Sequence, residues 1–180
     1  MPSALSRATT LLRHLGAESL PHPGGTLLTH LDRVHLRLIS WQVRPALQVA
    51  GFCHALYGTD GFPKTLIPLD RRTAVAAAIG SEPEALVYLY ASCDRRATYP
   101  ALPDGPFHDR FTGATRTPSR ARLRDFAELT AANELDLAAH DPDFRARYGP
   151  ELLTLFTRFR PLLGEAAWAD CRAVLGNRLP

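Results

Sequence analysis

Seven histidines are spread along the 180 residues. One of them, His54, stands inside the almost wholly apolar run AGFCHALYGTDGF, Ala50 to Phe62. Imidazole titrates near neutrality, so it serves as a metal ligand, a general base or a general acid. Enclosed by hydrophobic residues, its ring nitrogens need partners. Two other residues raise the same question. His30, in THLDRV, lies near the edge of an apolar stripe. Asp94, in YLYASCDRR, comes late in a segment that offers Ala85, Leu86, Leu89 and Tyr90 to a core. A carboxylate there is costly to bury unless it meets a metal or a cation, and the adjacent Arg95 is the simplest such cation. The other histidines ask for less. His14 and His140 fall on polar helix ends and read as solvated. His35 reads as a hydrogen-bonded core residue. His108 sits in a loop with no spacing that assigns it a role.

The elements that must position these residues are helical by pattern. Residues 3–15 form a short amphipathic segment, and PHPGG, Pro21 to Gly25, breaks it from the next. Leu27, Leu31, Val34, Leu38 and Trp41 recur at helical spacing, which predicts a helix over 26–41. Arg44–Pro45 marks a boundary. Residues 46–57 are apolar on nearly every side and predict a buried helix ended by Gly58. A helix is expected over 69–79. Ser81 and Glu84 form a capping box that opens another, running to about Arg96. Residues 97–116 carry Pro and Gly without periodicity and predict a long loop. Thr117–Pro118 opens a helix to about Ala139, and helices near 150–162 and 165–176 follow. The expectation is an all-α, single-domain helical bundle over 1–180. Its ligand-bearing core lies at about 20–96, and the C-terminal helices span 117–178.

Composition excludes several classes. The chain is 46% hydrophobic and 22% charged, ordinary for a globular domain, with a net charge of +3. Lys64 is the only lysine, and the arginines are interleaved with acids, so no basic stripe points to nucleic acid. No apolar stretch approaches the length of a membrane span, and MPSALSRATTLLRHLG has no signal-peptide core. A cytoplasmic protein, monomer or homodimer, acting on a small molecule is expected. Cys53, Cys93 and Cys171 are too few and too widely spaced for a disulfide framework or a zinc motif, and read as small buried hydrophobes.

Taken in order, the histidine of an HxxRV helix start, the histidine closing AGFCH and the later aspartate form a pattern. It resembles the HD-domain superfamily of helical metalloproteins. The resemblance covers residues 22–96 and implies that His30 is the first ligand, His54 the histidine of the His–Asp doublet and Asp94 the distal aspartate. The chain also resembles the DUF6817 domain family, through PHPGGTLLTHL, AGFCHALYGTDGF, CDRR, DRFTG and ELTAANELD, over roughly 12–145. That family brings no established activity. Ala55 stands where the doublet aspartate would be, which argues against a two-metal site. Two imidazoles and one carboxylate suit mononuclear iron(II). Manganese or zinc are alternatives, zinc accepting the same donors. His22, in the turn eight residues before His30, is a possible fourth ligand; its alternative is a turn histidine bonded to backbone.

Around that set, Tyr57 and Asp60 follow His54 in the YGTDGF turn and are candidates to orient a group or move a proton. Asp60 has the alternative of capping the next segment. Glu134 and Asn133, on an Ala/Leu-rich segment, either reach the pocket or face solvent. Arg95 and Arg110 are candidate substrate contacts, Arg110 with the alternative of an exposed loop arginine. Three enzyme readings follow: a non-haem iron oxygenase, a metal-dependent phosphohydrolase, and a metal-free cyclase- or isomerase-type pocket enzyme. The last uses His54 as acid or base, oriented by Asp94. A structural or interaction module is the reading from outside enzymes.

Overall fold

Ser3 accepts a hydrogen bond from the amide of Ser6 and opens the first helix, α1 (Ala4–His14), which buries Ala8 and Leu12. The computed structural model describes residues 3–176, and most of them are helical. PHPGG is more than a breaker. It folds into a two-stranded antiparallel ribbon, β1 (Pro21–His22) on β2 (Gly25–Thr26). Thr26 then caps α2 (Leu27–Ser40) through the amide of Thr29. Buried Leu27, His30, Leu31, Val34, His35 and Leu38 give α2 one inward stripe at three- and four-residue steps.

α3 (Pro45–Cys53) begins with its proline in the first turn, as the sequence predicts. Gly51 lets it lie close on α2: a Cβ there would stand 2.2 Å from Leu38 Cδ1. The predicted extension to Tyr57 does not form. His54 is the C-cap, and the amides of Leu56 and Gly58 fold back on the carbonyls of Cys53 and Ala55 in a tighter turn. The Leu56 carbonyl is taken by the amides of Leu66 and Ile67, which hold the chain out of the helix.

α4 (Arg72–Ile79) and α5 (Ser81–Ala91) form a hairpin. The expected capping box is not made. Gly80 occupies the N-cap, and the Glu84 carboxylate turns inward to Arg72 and Tyr57. α5 also stops short of Arg96, because Asp94 caps a separate helix, α6 (Arg95–Ala101), through the amide of Ala97. Backbone pairing of residues 92–94 with 108–110 occupies the groups that a continuous helix would need. The expected loop 97–116 is therefore part helix and part hairpin, β3 (Phe107–His108) on β4 (Thr115–Arg116).

Ser119, not Thr117, caps α7 (Arg120–His140). α8 (Pro142–Arg158) starts earlier than the sequence reading places it, because Asp141 caps it with Pro142 in the first turn. α9 (Glu165–Leu175) is close to its predicted bounds. The expected continuation to 178 lies outside the described residues. α7 is buried along most of its length and packs on α2, α5, α8 and α9. The buried apolar side chains form one connected core. All three cysteines are free and buried within it, and burial pushes each thiol up to about 12. His35 is satisfied by the carbonyl of Gln48 at 2.8 Å, and His14 is exposed. His140 is exposed too, but its Nδ1 lies 2.9 Å from the Asp136 carbonyl. No helix among the described residues is long and apolar enough to cross a membrane.

Candidate functional site

Three elements bring three imidazoles together. β1 carries His22, α2 carries His30, and the end of α3 carries His54. The His22 and His30 rings stack at 4.1 Å between centroids, and His54 meets His30 edge-on at 5.3 Å. They line a cavity of about 280 Å³ with Arg95, Asn133 and Glu134. Ala55 and Phe62 complete its apolar wall.

His30 is fixed from both sides. Its Nδ1 lies 2.6 Å from Asp136 Oδ2, and its Nε2 lies 3.0 Å from Asn133 Oδ1. The amide of Asn133 is oriented by its neighbour, since Nδ2 donates to Glu134 Oε1 at 3.1 Å. With Oδ1 so placed, each nitrogen of His30 faces an oxygen acceptor. Asp136 also accepts two bonds from Arg33, at 2.8 Å each. Burial alone raises a carboxylate, but the hydrogen bonds from His30 and Arg33 hold Asp136 well below the usual carboxylate range.

His54 is set the opposite way. Its Nδ1 donates to the carbonyl of Gly51 at 2.7 Å, which leaves the lone pair on Nε2. Burial, and next the charge of His30, push its pKa down to about 3. His22 is pushed down to about 4 by burial and then by His30. Its Nδ1 is buried with no hydrogen-bond partner.

Arg95 lies across the cavity from these rings. Its Nη1 donates to Glu134 Oε1 at 2.8 Å and its Nη2 to the Tyr90 hydroxyl at 3.2 Å. Asp60 accepts from the backbone amide of Arg95 at 2.9 Å, so the YGTDGF turn ties down the start of α6. That makes Asp60 a positioning residue rather than a lining one.

The structure thus brings together His22, His30, His54, Arg95, Asn133 and Glu134. Besides Asp60, three expected site residues lie outside the cavity lining: Asp94, Tyr57 and Arg110. Asp94 does not line the cavity: its carboxylate is the N-cap of α6. Consequently Asp94 does not orient His54; the Gly51 carbonyl does. Tyr57 is buried but gives its hydroxyl to Glu84 at 2.9 Å. Arg110 is exposed, donates to the Ala91 carbonyl at 2.8 Å and lies over Phe111.

The sequence reading missed Asp136 and Arg33. A signal for both was present. Arg33 stands three residues after His30, and Asp136 three after Asn133, so each pair shares a helix face. The two faces meet where α2 packs on α7.

The donors do not converge on a metal position. Asp94 is absent from the cavity, Asp136 is consumed by Arg33 and His30, and His30 Nε2 faces Asn133. Among the described residues no group of three or more His, Cys, Asp or Glu stands where it could hold a metal ion. The set does not fit the two-histidine, one-carboxylate arrangement that iron(II) takes.

A family model described as "Domain of unknown function (DUF6817)" matches residues 11–95. The matched segment includes His22, His30, His54 and Arg95; DRFTG and ELTAANELD lie beyond it. No curated protein and no solved structure matches the chain.

Proposed function

We propose that this chain, which carries the DUF6817 match, is a small-molecule enzyme that moves protons without a metal, of the isomerase or cyclase type. One observation carries the reading. Two imidazoles 5.3 Å apart have opposite surroundings, His30 with an oxygen acceptor at each nitrogen and His54 with its Nδ1 tied to the Gly51 carbonyl and a lone pair left on Nε2. Paired groups whose surroundings push their protonation apart are the usual mark of acid–base work.

In this reading His54 Nε2 takes a proton from a hydroxyl or an acidic C–H of the substrate. Uptake by a ring so deeply buried is uphill until negative charge develops beside it, and the departing proton leaves that charge on the substrate. His30 and the guanidinium of Arg95 line the same cavity and are the groups placed to offset it. The proton returns at another atom of the same molecule, so product and substrate have equal mass. Ala55 contributes a methyl group to the wall beside His54. Asp136 and Asn133 hold His30, and Asp60 holds the start of α6, so these three act as positioning residues.

A metal-centred reading keeps one observation in its favour, the buried and unpaired Nδ1 of His22. In it the bundle is of HD type, and His22 and His54 would hold zinc, iron or manganese for oxygenase or phosphohydrolase chemistry. The donors as placed do not fit that centre.

The deciding experiment is the metal content of protein purified without added metal, wild type and His54→Ala, followed by a compound panel read by mass spectrometry. Metal-free protein giving isomeric products of unchanged mass supports the proposal. Stoichiometric metal lost in His54→Ala, with oxygen uptake or phosphate release, overturns it.

A further inference from the structure

The histidine cavity has a larger neighbour. A second cavity, of about 670 Å³, is walled by Tyr99, Phe144, Tyr148, Leu152 and Leu155. It shares Gly61, Arg95, Glu134 and Phe144 with the histidine cavity, so the Arg95–Glu134 pair forms a common threshold. Gly61 lets Arg95 lie there: a Cβ would stand 2.9 Å from its Nη1. Small-molecule sites usually span about 300–1,000 Å³. The inner cavity alone falls just below that range and the outer one within it.

The two cavities differ in chemistry. The inner one holds all three imidazoles. The outer one has none and is aromatic and aliphatic, with exposed Glu151 and Arg158 among its polar groups. Beside the threshold, the Tyr99 hydroxyl is buried with no hydrogen-bond partner. Among the described residues, only it and His22 Nδ1 are buried side-chain polar atoms without one, and their residues line one cavity each. Native proteins leave few such atoms, and each calls for an explanation.

Charge decides the head of the ligand. Arg33 is already taken by Asp136 and Arg95 by Glu134. An anionic head would have to displace a buried carboxylate, whereas a hydroxyl needs only an acceptor and a donor.

We infer that the substrate is an uncharged hydroxylated molecule with an apolar, ring-bearing body. Its hydroxyl enters the histidine cavity against His54, and its body lies in the outer cavity beyond the Arg95–Glu134 pair. The role of His54 at the head rests on the acid–base reading above. The placement of the body rests only on the shared walls.

The test is equilibrium dialysis with phenol and 2-naphthol as probes at neutral pH, where both are uncharged. The second ring of 2-naphthol is expected to tighten binding roughly fivefold to tenfold, from the apolar area it buries. Leu155→Glu places a charge in the outer cavity, and Thr154→Trp, at an exposed position on the same wall, fills it. Either variant should bring the 2-naphthol to phenol ratio near one and leave phenol binding unchanged. His54→Ala should weaken both probes and keep the ratio. A wild-type ratio near one, or a ratio unmoved by both outer variants, overturns the inference. If the outer variants collapse the ratio while His54→Ala leaves phenol binding intact, the two-part cavity stands and the acid–base reading falls.

Discussion

Two buried glutamates, Glu84 and Glu134, each meet one arginine among tyrosines, and the difference between them separates structure from site. Glu84 is closed. Its Oε1 accepts from Tyr57 at 2.9 Å and Arg72 Nε at 2.6 Å, and its Oε2 from Arg72 Nη2 at 2.9 Å. Arg72 lies 3.8 Å over the Tyr88 ring, and Glu84 lines neither of the two joined cavities. Glu134 is open. Arg95 and Asn133 both donate to Oε1, and Oε2 receives no hydrogen bond from the described residues. Both cavities reach it, and the outer one is also lined by Tyr99, whose hydroxyl has no hydrogen-bond partner. A polar network with every atom satisfied locks packing, whereas one left short keeps bonding capacity for a ligand.

The largest effect expected from that contrast is on stability at the closed pair. Glu84→Ala leaves the buried Tyr57 hydroxyl without its acceptor and the partly exposed Arg72 without its partner, at a cost of about 1–3 kcal/mol. Denaturant unfolding measures it. Glu134→Gln keeps an acceptor for Arg95, so its stability loss should be clearly smaller and its main effect should fall on probe binding. Equal stability losses with unchanged binding would erase the distinction. Next in size is His54→Ala. Losing one hydrogen bond to the hydroxyl is worth about 1–1.5 kcal/mol, which is roughly tenfold in affinity for phenol by dialysis.

The pH dependence sharpens the same contrast. His54 and His22 titrate at about 3 and about 4 in the folded chain, below the ordinary histidine value of about 6.5. Below pH 6.5 the unfolded chain binds protons that the folded rings refuse. Their contribution to stability is therefore fully present above about pH 6.5 and is lost as pH falls toward 4 and 3. The unfolding free energy of the wild type should decline across that window. His54→Gln, which cannot titrate, should decline less steeply, and Tyr57→Phe, in the closed network, should follow the wild-type slope. Parallel curves for His54→Gln and wild type would show that the ring is not held neutral by its surroundings.

How much of this could be read from the sequence follows the range of the interactions. Periodicity finds α2 and α9, because each depends on residues three and four apart, but it sets His30 only at the edge of the apolar stripe, where the structure buries it. It misplaces the end of α3 and the start of α6, because both are set by distant backbone partners, Leu66 and Ile67 for the first and His108 and Arg110 for the second. His54 and Glu134 reach the site as the sequence reading allows. Asp136 shares a face with Asn133 by its three-residue spacing, but that this face meets His30 depends on α7 crossing α2. Ser81 illustrates the converse. Its capping motif is intact in sequence, yet Glu84 is drawn away by a stronger charged partner, Arg72.

The smallest predicted effect tests the residue on which sequence and structure differ most. Asp94 follows the histidine pattern and would supply the carboxylate of a metal site, yet it accepts from the Ala97 amide at 3.0 Å at the head of α6. An N-cap is worth about 1 kcal/mol, so Asp94→Ala should lower the unfolding free energy by roughly that amount. Asp94→Asn, which still caps, should restore it. Neither substitution should change phenol affinity or metal content, because the carboxylate does not face the cavity. The Asn variant carries the discrimination. An amide caps a helix about as well as a carboxylate but is a far poorer ligand for a cation. Wild-type stability together with loss of a bound metal in Asp94→Asn would return this carboxylate to the site and break the assignment of the cavity to proton chemistry alone.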